Sequence, residues 1–79
     1  MKINYNPKYN IAYIGMREKI AEVETIHLSN EINIDISPDG KIYGIELLNA
    51  NEQLNMNQNK EVVFVNEMTG QKSELIKPD

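Results

Sequence analysis

The chain has no cysteine and no tryptophan, a single phenylalanine and a single histidine, and only 4 glycines and 3 prolines in 79 residues. Without cysteine there are no disulfides and no thiolate ligands for zinc. A domain of this size buries only about 60% of its unfolded surface, so its core needs outside support. Oligomerisation is the expected source. Basic charge is also scarce, with 8 Lys and Arg against 12 Asp and Glu, a net charge of -4. That balance disfavours the electrostatic grip on phosphates that underlies nucleic-acid affinity, so no direct nucleic-acid partner is expected. Nowhere do about 18 apolar residues run together, as a membrane helix would require, and the opening "MKINYNPKYN" lacks a signal-like apolar run. A cytoplasmic protein with no membrane partner is expected. With neither a G-x-G-x-x-G run nor a P-loop, no cofactor is expected either.

What is present is isoleucine, valine and tyrosine at period two, which suits pleated sheet. The spacing predicts strands at "KINY", at Tyr9 to Met16, at Lys19 to Leu28, at "EINIDI" (Glu31 to Ile36) and at "KIYGIELL" (Lys41 to Leu48). In the third, Ala21 and Val23 have one parity and Ile26 and Leu28 the other, so a one-residue bulge is expected near Glu24 or Thr25. A short helix is expected at "NANEQL", where Asn49 offers a cap and Glu52, three residues on, can reach back to it. The fold class expected is therefore mainly β (α+β), an antiparallel meander of about five to seven strands with one short helix after the fifth strand. One small domain spans 1–79, with a β core and helix over 1–54, a connector at 55–60 and a terminal hairpin at 61–76 turning near Gly70.

The stretch "DISPDGKIYGIE" spells much of an EF-hand loop, with Asp35, Ser37, Asp39, Gly40 and Glu46 at ligand or turn positions. The flanks alternate as strands, however, and "SPDG" reads as a type I turn with proline second and glycine fourth. Pairing Ile36 with Lys41 places Ile32, Ile34, Tyr43 and Ile45 on one face and Glu31, Asn33, Asp35 and Glu46 on the other. In that register Asp35 and Glu46 stand roughly 13 Å apart, too far to share a cation, and Glu31 faces Glu46. No metal site is expected.

His27 lies in a strand, and Ser29, Ser37 and Ser73 lack the setting of a nucleophile, so no catalytic residues are expected and the protein is not expected to be an enzyme. The acidic face of the hairpin, Glu31, Asn33, Asp35 and Glu46, is the candidate partner-facing surface, because a basic partner would relieve like charges set opposite each other. The alternative is a small ligand or cation bound at the same face.

Tyr5, Asn6 and Pro7, then Tyr13 and Ile14, then the run Asp35, Ser37, Asp39, Gly40, Ile42, Gly44, Ile45, Glu46, Leu47, Leu48 and Ala50 form a recurring pattern. Through it, residues 5–54 resemble a family of small bacterial and archaeal proteins, domain of unknown function 2283. Asn6 and Asn10 stand where that family usually has aspartate. The resemblance implies a small β-rich fold with no established enzymatic activity and, in some genomes, a neighbour resembling toxin components. The function expected is that of a non-catalytic interaction module, associating as a homodimer and serving as an antitoxin-like partner of a basic protein.

Overall fold

A computed structural model of the chain describes residues 1–18, 22–56 and 61–76. Five strands form one antiparallel sheet: β1 (Lys2–Asn6), β2 (Ile11–Gly15), β3 (Glu24–Ser29), β4 (Ile32–Ile36) and β5 (Ile42–Leu48), in the order β1-β2-β5-β4-β3. The expected meander holds within β1–β2 and within β3–β4–β5. The two pieces join where β2 pairs with β5 rather than with β3. A single helical turn, α1 (Ala50–Gln53), follows β5. A separate two-stranded sheet, β6 (Glu61–Val65) with β7 (Lys72–Ile76), ends the described chain. Part of the connector expected at 55–60 lies outside the described residues.

Short polar side chains shape the turns. Asn6, the last residue of β1, has a side-chain oxygen that accepts from the backbone of Lys8 and Tyr9, and Asn66 does the same for Met68 and Thr69 between β6 and β7. At "SPDG" the Gly40 N–H donates to the Ser37 carbonyl at 2.9 Å and Gly40 takes φ 85, a value that favours glycine.

Two details of register differ from expectation. The third strand begins at Glu24, so Val23 lies outside it and Ala21 outside the described residues; its irregularity falls between His27 and Ser29, not near Glu24. In the central hairpin Ile36 pairs with Ile42, and a bulge then places Asp35 opposite Gly44, Ile34 opposite Ile45 and Ile32 opposite Leu47. The turn moves the register by one residue and the bulge by one more. Two single shifts restore parity, so the faces are as expected while every partner is different.

The faces that result are sharply distinct. Directly paired residues share a face, and one row crosses all five strands as Ile3, Ile14, Ile45, Ile34 and Ile26. The next row adds Tyr5, Ala12, Leu47 and Ile32. A sheet normally buries such a face against a second layer. Here Ile3 and Ile26 are 40% and 41% exposed, and the three isoleucines between them are only half-buried. Among the described residues no large side chain is fully buried; the buried apolar residues are Ala12, Tyr43 and Ala50.

The helix is held from a distance. Asn49, expected to cap α1 with its side chain, instead adopts the left-handed conformation (φ 54) and makes no side-chain cap bond. The side-chain oxygen of Asn10, in the β1–β2 turn, accepts from the Asn51 N–H at 2.8 Å, and its carbonyl accepts from the Ala50 N–H at 3.0 Å. These are the donors that a helix start leaves without internal partners. The Asn49 amide is thereby free to donate to Glu31 at 3.1 Å and to Glu52 at 2.9 Å.

Candidate functional site

The face opposite the isoleucines carries a second row across all five strands: Asn4, Tyr13, Glu46, Asn33 and His27. Beside it run Lys2, Gly15, Gly44, Asp35 and Thr25. Two hydrogen-bond chains run across this face. In the first, the Asn33 amide donates to Glu46 at 2.9 Å, and the Asn33 oxygen lies 2.8 Å from Nδ1 of His27. Because the Asn33 oxygen only accepts, His27 is the donor in that pair.

The second chain spans a strand. Tyr13 on β2 does not stand over its own neighbours; its ring crosses β5 above Gly44, and its hydroxyl donates to Asp35 on β4 at 2.7 Å. Thr25 on β3 donates to the other Asp35 oxygen, also at 2.7 Å. Asp35 is thus gripped from both sides and only 8% exposed, although it lies on the face away from the isoleucines. Gly44 makes the crossing possible. A Cβ at that position would overlap the Tyr13 hydroxyl and ring, reaching 2.7 Å from Cε2. Among the described residues no buried side-chain polar atom lacks a hydrogen-bond partner.

The Tyr13 ring divides the surface. On one side a shallow hollow of about 430 Å³ is lined by Tyr13, Thr25, Asn33, Asp35 and Glu46. On the other a hollow of about 540 Å³ is lined by residues including Lys2, Asn4, Gly15 and Arg17, and Arg17 also lies 5.6 Å from the centre of the Tyr43 ring. The first hollow carries the carboxylates of Asp35 and Glu46, the second Lys2 and Arg17 together with Glu18.

Of the four residues expected to face a partner, Asn33, Asp35 and Glu46 come together here, and Glu31 does not join them. Glu31 lies at the β3–β4 turn, where its side chain meets Asn49 and its carbonyl accepts from Leu48 N and from the Gln53 amide at 2.9 Å each. Asn33, not Glu31, stands opposite Glu46, so the like-charge pair drawn from the sequence does not form. Asp35 is opposite Gly44, two residues from Glu46 and roughly 7 Å along the strand instead of 13 Å. The loop that spells a calcium site is a hairpin between strands, with the Ser37 hydroxyl donating to Asp39 and Lys41 within 3.5 Å of it. The Ser37 hydrogen bond, followed by the charge of Lys41, holds the Asp39 carboxyl below its ordinary value.

Sequence reasoning missed Tyr13 and Thr25. Their signal was available only as a pairing: a tyrosine and a glycine on neighbouring strands at adjacent positions, with an aspartate beyond the glycine. His27, considered as a catalytic base, is committed to Asn33, while Ser29 accepts from the Glu31 N–H.

No curated protein and no solved structure matches the chain. A family model does match residues 2–51, which include every strand of the five-stranded sheet, both polar chains and the start of α1. The chain therefore belongs to the family described as "Protein of unknown function (DUF2283)".

Proposed function

We propose that this domain is a non-catalytic interaction module, and that the uncovered isoleucine face is the surface through which it associates. The observation that carries the reading is the row Ile3, Ile14, Ile45, Ile34 and Ile26, continuous across the sheet and open to solvent. Contiguous apolar surface of that extent mostly marks a place where another molecule sits. The polar face supports this division of labour, because its side chains bond to one another and so hold the sheet together without a second layer.

A second reading keeps the polar face as the docking surface for a basic protein, in the manner of an antitoxin. It is favoured by Glu46, which spends one carboxylate oxygen on Asn33 in a hollow of acidic character, and by the net charge of -4. A small ligand or cation bound at that face is the alternative to both.

One experiment separates them. Tagged chain, Ile34→Lys and Glu46→Lys are compared for what they retain from a cell extract at low and high salt. Association lost in Ile34→Lys and insensitive to salt supports the isoleucine face; association lost in Glu46→Lys and weakened by salt supports the acidic face. If both variants retain what the parent retains, neither face is the docking surface.

A further inference from the structure

Both hydrogen-bond chains of the polar face run outward and end on β3, one at Thr25 and one at His27. We infer that the outer edge of β3 is a docking surface of its own, and that it takes an extended, basic, donor-rich segment of another protein as a sixth, antiparallel strand. The edge is a different surface from the isoleucine face, so it stands or falls without that reading.

β3 closes the sheet on one side. It has β4 as its one ladder neighbour, so a row of its backbone N–H and C=O groups faces away from the sheet, and the complement of such a row is another extended chain. It is also the one strand of the five in which every residue is exposed, with Ile26 at 41% and Leu28 at 60%. The opposite edge is blunted. β1 begins with Lys2 and is followed at once by Pro7, two residue types by which an edge refuses a further strand, and β3 contains neither.

The side chains set the chemistry of the occupant. Thr25 donates its hydroxyl proton to Asp35, and the neutral His27 ring carries its proton on Nδ1 toward Asn33, so Oγ1 and Nε2 are left as acceptors. Glu22 and Glu24, both exposed at the start of the strand, add two carboxylates that make no ion pair among the described residues. An edge that offers acceptors calls for donors: hydroxyls beside Thr25 and His27, and a lysine or arginine beside Glu24. An apolar side chain beside Ile26 would prolong the isoleucine row. A second copy does not meet this need. β3 paired antiparallel with itself sets Thr25 against His27, or either against its own copy, and so acceptor against acceptor.

The test is NMR titration of the whole 79-residue chain with the amidated peptide TVTKTK. Antiparallel to β3, its threonines fall beside His27 and Thr25, its valine beside Ile26 and its lysines beside Glu24 and Glu22. The amide signals of β3 should shift, with a Kd of about 1 mM at low salt that weakens as salt is added. Two versions of the peptide, N-methylated at alternate residues in opposite phase, should differ at least ~10-fold in affinity, because one set of its N–H groups faces β3 and the other faces away. Glu24→Lys should weaken TVTKTK about threefold to tenfold and strengthen TVTETE by a similar factor. No shift up to ~10 mM peptide overturns the proposal, as do equal affinities of the two methylated peptides or shifts confined to residues outside β3. Binding that Glu24→Lys leaves unchanged overturns the basic partner. If the β3 signals move with the concentration of the chain itself before any peptide is added, a second copy holds the edge and the proposal falls.

Discussion

The two faces of the five-stranded sheet are made by the same strands, yet they reach stability by opposite routes. On one face, Ile3, Ile14, Ile45, Ile34 and Ile26 stand side by side across the strands and remain partly in water. On the other, a carboxylate is more deeply buried than any of those isoleucines, because Tyr13 and Thr25 satisfy it and Gly44 clears the way. Burial in a single-layer sheet is therefore created locally by a side chain lying along the surface, where a two-layer protein would create it by stacking. The polar face is the inward-looking side of this molecule in the energetic sense, and the apolar face is the outward-looking one.

That contrast can be broken most severely at Gly44. Gly44→Ala should cost about 2–4 kcal/mol in urea denaturation, because the new methyl group and the Tyr13 ring claim the same space. In a Tyr13→Ala background the same change should cost little, and equal costs in the two backgrounds would show that the ring does not cross Gly44. Asp35→Ala should be next, at about 1–3 kcal/mol, since it leaves two hydroxyls without their acceptor; Asp35→Asn should lose less. On the other face, Ile34→Thr at a concentration where the chain is monomeric should cost less than about 1 kcal/mol, well short of the loss in a packed core. A penalty of core size there would mean that the isoleucine face is already covered.

The smallest effect lies at the turn. Ser37→Ala should let the Asp39 carboxyl rise toward its ordinary value, read by NMR titration of its side-chain carbon. Because its folded value is depressed, Asp39 favours the folded state above the ordinary carboxylate range and loses that contribution as the pH falls through its own lowered value. The residue is fully exposed, so the acid sensitivity of folding should scarcely change in Ser37→Ala.

Much of this architecture was legible from residue types. Alternation located the strands of the sheet, the proline and glycine of "SPDG" located the central turn, and the parity of Ile32, Ile34 and Ile45 assigned them to one face. What alternation does not encode is register, because a shift of two residues leaves every face unchanged while moving Glu46 from Glu31 to Asn33. The site was hidden for a related reason. Asp35 and Glu46 were recognised as facing the same way, but their partners arrive from β2 and β3, and the β2–β5 pairing joins segments whose adjacency no local signal announces. The side-chain role expected of Asn49 passed to Asn10 across the same junction: two asparagines with equal intrinsic fitness as caps are distinguished only by tertiary position.

That junction also divides the domain in time. Every other strand pair of the sheet closes a short turn, whereas β2 and β5 meet across residues 16–41. Closing the longer segment costs more chain entropy and is repaid only once both hairpins exist. The Asn10 cap and the Tyr13 bond to Asp35 both span it, so the helix cap and the polar network come into being in the same event that docks β1–β2 onto the rest. The domain should accordingly open along this line as two hairpin units, with amide exchange in the β2–β5 ladder running ahead of exchange in the β4–β5 ladder.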